Sequence, residues 1–294
     1  MRKGLRILVL FCFAGILSAC SPRLGPDSFF FVQMADTQFG FFNDNRDFKK
    51  ETVNFEKAVA AANRLNPQFV VVCGDLVNTP GDMGQIAEYK RIAARLDPAI
   101  RLYNVAGNHD VENFPTPESL RAYRKNFGSD YYTFAAGSIL GIVLNSSLMR
   151  DPDSARTEAI EQDRWLQGEL AKARRSKDKI IMVFQHHSLF LNNPDEKDEY
   201  FNFPEATRKK YLALFKEHNV RFVFAGHYHR NAGGHDGELE MITTGPVGRP
   251  LGLDPSGFRI ITVDQGIVKH KYYGLDNIPG IDQSQVGHDK SEKQ

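Results

Sequence analysis

Five short polar clusters in this sequence carry residue types that can hold metal ions: Asp36-x-Gln38, Gly74-Asp75, Gly107-Asn108-His109-Asp110, His186-His187 and Gly226-His227-x-His229. Carboxylates and amides offer hard oxygen donors and imidazoles offer nitrogen, a mixture suited to divalent cations. Taken singly, each has an ordinary reading. Gly-Asp after a strand is a common turn, Gly-Asn-His-Asp fits a loop with left-handed residues, and paired histidines are often polar strand ends. Taken together, the clusters supply enough nitrogens and oxygens for two divalent ions.

Each cluster follows a stretch that reads as a strand. The run at 29–34 precedes Asp36, FVVVC at 69–73 precedes Asp75, and RLYNVA at 101–106 precedes Asn108. KIIMVF at 179–184 precedes His186, and RFVFA at 221–225 precedes His227. Helical patterns lie between them at about 52–65, 85–96, 118–126, 157–175 and 205–218, which is the alternation of a parallel sheet. YYTFAA and SILGIVLN, joined across a Gly, suit an antiparallel hairpin, and LEMITT, FRIITVD and GIVKHKYY close the chain as three more strands. The expected architecture is α/β, two sheets each with a helical outer layer, in one domain over 28–276 with a polar tail at 277–294.

The carboxyl ends of parallel strands share one crevice, so groups remote in sequence can meet there. On an extended backbone, residues i and i+2 face the same way, which would aim His227 and His229 inward with Tyr228 turned back. Asp75 has two oxygens and can serve two ions at once.

The ordered set resembles the calcineurin-like metallophosphoesterase superfamily, whose pattern is D-x-H, G-D, G-N-H-D/E, H and G-H-x-H. The stretches ADTQFG, GDLVN, GNHDV, VFQHHSLFL, GHYHRNAGG and LGLDPSGFRIITV are similar to its calcineurin-like phosphoesterase domain-containing Ser/Thr phosphatase branch. The resemblance implies a four-layer αββα sandwich of two mixed sheets flanked by helices, and a dinuclear centre. It assigns one metal to Asp36, Gln38, Asp75 and His229, and the other to Asp75, Asn108, His186 and His227. His109 becomes the acid beside the metals, with Asp110 as its orienting partner. His186 is preferred to His187 because the family's ligand follows the strand directly. Gln38 stands where most of the superfamily has His. Its oxygen favours Mn²⁺, Fe or Mg²⁺ at that site, with Zn²⁺ an option at the other.

The implied reaction is hydrolysis of a phosphomonoester, including phosphoserine or phosphothreonine, by a metal-bridging hydroxide. A phosphodiesterase acting on cyclic nucleotides or small diesters is the alternative enzyme. A metal-holding scaffold without turnover is the alternative outside catalysis, although a scaffold has no use for His109 beside Asn108. Substrates would be phosphorylated small molecules or phosphopeptides. The segment Leu191 to Phe203 should overhang the site and is rich in acids: Asp195, Glu196, Asp198 and Glu199. Arg230, Asn231 and Arg249 stand near the ligands as phosphate contacts or turn caps.

The first nineteen residues differ from the rest. MRKGLR is cationic, ILVLFCFAGIL is a short apolar core, and Leu17-Ser18-Ala19-Cys20 resembles the lipobox of bacterial lipoproteins. Cleavage before Cys20 and acylation of its sulfur would tether the domain to the cell envelope through a linker at 20–27. Ser21 suggests the periplasmic face of the outer membrane in a host with two membranes. Loss of Arg2, Lys3 and Arg6 with the signal moves the formal charge from +1 to −2. A slightly acidic globule lacks the basic face that sequence-independent nucleic-acid binding needs. Cys73, inside FVVVC, reads as a buried hydrophobe. If the lipobox is real, labelled fatty acid enters the wild-type protein and not Cys20→Ala; equal labelling of both would overturn the assignment.

Overall fold

The run FFFVQM forms strand β1 (Phe29–Met34) and is buried on both faces, as befits a strand covered on each side. Its period of two splits the side chains. Phe30, Val32 and Met34 join one apolar cluster with helix side chains, while Phe29 and Phe31 join another between two sheets. The computed structural model describes residues 28–174 and 179–279. The expected signal segment, Cys20 and its linker lie outside the described residues.

The first sheet runs β11-β10-β1-β2-β3, with β2 at Phe69–Cys73, β3 at Arg101–Val105, β10 at Gly257–Asp264 and β11 at Ile267–Gly274. β1, β2 and β3 are parallel, and β10 and β11 add antiparallel at the β1 side. The second sheet runs β4-β5-β6-β7-β9-β8, with β4 at Tyr132–Ala136, β5 at Ile139–Val143, β6 at Ile180–Phe184 and β7 at Val220–Ala225. β9 (Leu239–Thr243) pairs with β8 (Ala232–Asp236), an edge strand that sequence patterning missed because AGGHD lacks the apolar alternation of a strand.

Helices α1 (Lys49–Leu65), α2 (Met83–Ala93) and α4 (Pro117–Phe127) cover the first sheet, through Phe55, Ala58, Ala62, Tyr89, Ile92, Leu120 and Tyr123. Helices α6 (Arg156–Ala173) and α7 (Glu205–Glu217) cover the second through Leu166, Leu170, Tyr211, Leu212 and Phe215. The result is the four-layer αββα sandwich. Two short helices, α3 (Asn108–Val111) and α5 (Ser146–Arg150), sit at strand ends. Ile278, in the stretch expected to be tail, is half-buried against the first sheet's helical layer, so the packed chain runs slightly past 276.

The sheets meet through aromatic rings. Phe31 stacks on Phe69 at 4.4 Å, Phe184 on Phe224 at 5.2 Å, and Phe31 meets Phe184 edge-on at 6.0 Å. Polar contacts cross between the sheets as well, among them one made by a buried amide. Gln33 on β1 donates to the Ala225 carbonyl at 3.0 Å and accepts from Thr244 at 2.6 Å, so a buried amide fixes how β1 sits over β7. Among the described residues, no helix is long and apolar enough to cross a membrane. Phe184 lies at the centre of the inter-sheet layer with no solvent exposure. Phe184→Ala should cost about 3–5 kcal/mol by transfer and cavity terms, measured by urea unfolding.

Candidate metal centre

β1, β2 and β3 of the first sheet and β6 and β7 of the second end side by side, and the five clusters lie on the chain just after them. The crevice is therefore the seam between two sheets, rather than the edge of one. Asp36, Asp75, Asn108, His186, His227 and His229 are all buried there, and Gln38 with them.

The ligands are not carried on extended backbone. Asp36, Gln38, Asp75, His227 and His229 all have positive φ, at 50°, 38°, 50°, 66° and 54°. The pleat argument for His227 and His229 is thus replaced by a different geometry: two left-handed residues turn both rings into the seam. Such conformations cost about 1–3 kcal/mol each and cluster where function needs them. Backbone bonds hold them, with the Asp36 amide donating to the Gly74 carbonyl at 3.0 Å and the Gln38 amide to the Asp75 carbonyl at 2.8 Å. Thr37 turns away and donates to the Leu76 carbonyl at 2.9 Å. Glycine is needed where the strand ends close in. A Cβ on Gly74, itself at φ 81°, would strike the His186 ring, and one on Gly107 would strike Asp75.

Two groups of ligating atoms result. Those of Asp36, Asp75 and His229 lie within 4.8 Å of one another, as do those of His186, His187 and His227. His186 Nε2 joins the groups, standing 3.2 Å from Asp75 Oδ2, 3.0 Å from Asn108 Oδ1 and 3.2 Å from His227 Nδ1. His229 Nε2 is 3.4 Å from Asp36 Oδ1. His187 sits behind, with Nδ1 on the Ser146 hydroxyl at 2.9 Å and its ring near Phe203.

Each inward-facing ring is pinned by its other nitrogen. A carbonyl only accepts, so these nitrogens carry the proton: His186 Nδ1 donates to Cys73 at 2.9 Å, His229 Nδ1 to Arg249 at 2.5 Å, and His227 Nε2 to Tyr200 at 3.3 Å. That leaves the opposite nitrogen facing the centre, the orientation metal-ligating histidines take. Gln38 is fixed similarly. Its Nε2 donates to Asn78 at 3.2 Å, Asn78 donates to Asn45 at 2.8 Å, and Gln85 of α2 donates to the same Asn45 oxygen at 3.0 Å. The Gln38 Oε1 atom is buried with no hydrogen-bond partner. A buried acceptor without a partner is unfavourable unless a donor or cation meets it, and beside the clustered carboxylates and imidazoles the residues present fit a divalent ion.

Electrostatics agree with that fit. Burial opposes ionisation of Asp75, but His186, His109 and His227 outweigh it and hold the carboxyl well below its usual range. Burial likewise opposes charge on His186, yet Asp75 and Asp36 raise it to about 9. Burial lowers His227 and His187, and their neighbouring histidines reinforce the shift. His229 is raised because Asp36 overcomes its burial. Cations bound here would displace the ring protons and neutralise the same carboxylates.

One expected role changes, and one open choice closes. Asp110 does not touch His109: its carboxylate accepts from the amides of Leu76 at 2.9 Å, Val77 at 3.2 Å and Gly107 at 2.8 Å, tying the β2 and β3 ends together. Burial and the charge of Asp75 push it up to about 8 against those amides. What orients His109 is the Asn78 carbonyl, 2.7 Å from Nδ1, while its backbone amide donates to Asp75 at 2.8 Å. The phosphate contacts considered in GHYHRNAGG are engaged elsewhere. Arg230 donates to the Leu251 carbonyl, and Asn231 accepts from Arg259 and from Gly245. Arg249 donates to the Phe41 carbonyl at 3.3 Å.

The 191–203 segment does overhang the site. The rings of Tyr200 and Phe201 stand 5.0 and 5.6 Å from that of His227. Two of its acids serve the fold: Glu196 accepts from the amides of Leu191, Asn192 and Asn193, and Asp198 accepts from the Glu205 amide at the start of α7. Cys73 is buried, and burial pushes its thiol far up, consistent with an inert core residue.

The family model for the calcineurin-like phosphoesterase domain matches residues 31–231, and the chain belongs to that family. It is a metal-dependent phosphoester hydrolase. Curated relatives include the serine/threonine-protein phosphatase CPPED1 of Homo sapiens, 39% identical over 266 residues, and that of Danio rerio, 38% identical over 266 residues. The alignments cover 85% of this chain in both cases, and 85% and 86% of those proteins. Among solved structures, a dimetal phosphatase from Danio rerio superimposes with a TM-score of 0.60 at 19% identity, covering 84% of this chain and 96% of that one. The purple acid phosphatase PPD1 of yellow lupin gives 0.63 at 14% identity, covering 88% and 54%. At these identities the superpositions show the shared fold.

Asp110→Ala should loosen both strand ends and weaken metal binding in isothermal titration. It should lower stability by about 1–3 kcal/mol through the buried amides left unpaired. The dependence of rate on leaving group should stay as in the wild type.

Proposed function

We propose that this chain is a dinuclear phosphomonoesterase whose substrates include phosphoserine and phosphothreonine in peptides. The observation that carries this is the pair of ligating groups joined at Asp75 and His186, together with a buried Gln38 oxygen that has no hydrogen-bond partner. The similarity to the CPPED1 phosphatases supports the choice of substrate. Asp36, Gln38, Asp75 and His229 would hold one ion, and Asp75, Asn108, His186 and His227 the other. Mn²⁺, Fe or Mg²⁺ suits the site containing Gln38, where an amide oxygen replaces an imidazole, and Zn²⁺ suits the histidine-rich one. When bound, the ions supply Lewis-acid polarisation of the phosphoryl oxygens and lower the pKa of water.

The chain's own contribution is position and protons. His109, half-buried at the mouth of the seam, keeps Nδ1 on the Asn78 carbonyl and presents Nε2 to the leaving oxygen, where it delivers a proton. The hydrogen bond that its backbone amide donates to Asp75 holds this residue against the carboxylate shared by both sites. Tyr200 and Phe201 shield His227 from water and strengthen the local field. We further assign the chain to the cell envelope, lipid-anchored through Cys20. The Leu17-Ser18-Ala19-Cys20 sequence supports this reading.

The test is turnover of an aryl phosphate and of phosphopeptides with added Mn²⁺, and its loss in Asp75→Asn. Faster cleavage of cyclic nucleotides than of any monoester would replace the reading with a phosphodiesterase. His109→Ala should retain both metals and lower kcat by about 10²–10⁴-fold on alkyl phosphates, whose leaving oxygen needs a proton. The loss on nitrophenyl phosphate should be smaller. Metal loss in this variant would make His109 a ligand instead.

A further inference from the structure

Beside the metal centre, walled in part by the Tyr200 ring that meets His227, lies a cavity of about 390 Å³ lined by Asn113, Phe114, Arg150, Asp151, Tyr200 and Pro204. Its size is that of a small-ligand site. Arg150 ends α5 and is half-buried, and among the described residues it makes no hydrogen bond or ion pair. Its guanidinium lies 5.4 Å from the centre of the Tyr200 ring, a contact that uses none of its five N–H donors. The nearest acid on the cavity wall, Asp151, gives one carboxylate oxygen to the Ser154 hydroxyl at 2.7 Å and forms no ion pair with Arg150.

A half-buried guanidinium with an open donor fork gains charge-assisted hydrogen bonds from an anion that completes it. Arg150 reaches the seam through the Tyr200 ring, which meets that of His227, and Asn113 and Phe114 of the same cavity follow closely on His109, the residue assigned to the leaving oxygen. Phe114, Tyr200 and Pro204 give the cavity apolar surface, and Asn113 adds an amide. Phe114 is 64% exposed at the rim, and the Tyr200 hydroxyl is turned toward Asn108 and Asn113. Such a cavity suits a compact group that carries one anion.

Resting on the phosphomonoesterase reading above, we propose that this cavity is the leaving-group subsite. Arg150 is its anion-recognising residue, and preferred substrates carry a carboxylate or second phosphate close to the scissile phosphoester. In peptides, this corresponds to an acidic or phosphorylated residue flanking the phosphoserine. Glu196 accepts from the backbone amides of its own segment and Asp198 faces Arg208 at 3.6 Å, so both carboxylates have partners other than Arg150.

The experiment compares kcat/KM of full-length wild type, Arg150→Met and Arg150→Lys on matched pairs. The small pair is 3-phosphoglycerate against glycerol 3-phosphate. The peptide series places Ala, Glu, phosphoserine or Lys beside one phosphoserine. Wild type should favour the anionic member by about tenfold, the size of one charge-assisted bond. Arg150→Met should bring that ratio to about one, and Arg150→Lys should fall between, because an ammonium keeps the charge without the planar fork. Circular dichroism confirms that each variant is folded, and Arg150→Lys carries the test if Arg150→Met is not. Glutamate and phosphoserine flanks separate the two anion sources. A ratio that survives in Arg150→Met, an equal loss on both members of each pair, or a preference for the Lys flank overturns the proposal. An equal loss would place Arg150 on the reacting phosphoryl itself. If peptides resist cleavage while the small pair shows the Arg150-dependent ratio, the subsite stands and the protein-phosphatase reading falls.

Discussion

Burying Asp36 and Asp75 side by side, without solvent, is the constraint on which the rest of this structure turns. Two such carboxylates repel each other and lose hydration, so everything around them supplies compensation. The His227 amide donates to both oxygens of Asp36 at 3.1 Å, and the His109 amide and His186 ring serve Asp75. Gly74 and Gly107 allow β2 and β3 to end close enough for those contacts, and five left-handed side-chain-bearing residues accept strain to aim at one centre. A fold that only had to be stable would not bury these charges together. A fold that gathers cations and polarises a phosphoester must.

The two-sheet architecture answers a second requirement, which is to bring oxygen-rich and nitrogen-rich strand ends together. Asp36, Asp75 and Asn108 come from the first sheet and His186 and His227 from the second. Neither sheet holds a complete donor set. The relative placement of the sheets is therefore part of the site, and the aromatic layer of Phe31, Phe69, Phe184 and Phe224 fixes it with the Gln33 staple across its middle. The overhanging segment then adds a wall. Arg208, fully buried on α7, donates to the Glu196 carbonyl and so anchors the segment that carries Tyr200 and Phe201 to His227.

Most strands and the principal helices were legible because their apolar periods are strong and their boundaries carry Gly, Asn or Asp. β8 was not: AGGHD forms an edge strand through its backbone bonds to β9, a pairing set by the neighbour and not by its own side chains. The clusters of chemistry-bearing residues were legible because each sits directly after a strand. The inference that His227 and His229 share a face because the chain is extended failed, since strand pleating stops at Ala225 and both residues are left-handed. Asp110 was read as a partner for its sequence neighbour His109. Its carboxylate instead reaches three amides, two of them more than thirty residues away, which no local pattern announces.

By itself, the sequence determined the element order, the α/β class and the set of donors offered to a metal centre, because these follow from local period and residue type. Only the tertiary structure decided which nitrogen of each histidine faces inward, that Asn78 orients both Gln38 and His109, and that Glu196 and Asp198 are spent on the fold. It also decided which arginine is left open beside the site. Arg230 and Arg249 stand nearer the motif in sequence, yet both are bonded to carbonyls, while Arg150, at the end of the short helix after β5, lines the cavity with no hydrogen bond or ion pair among the described residues. The reason is physical: a side chain's availability is set by the partners that packing brings to it, and those partners come from distant segments.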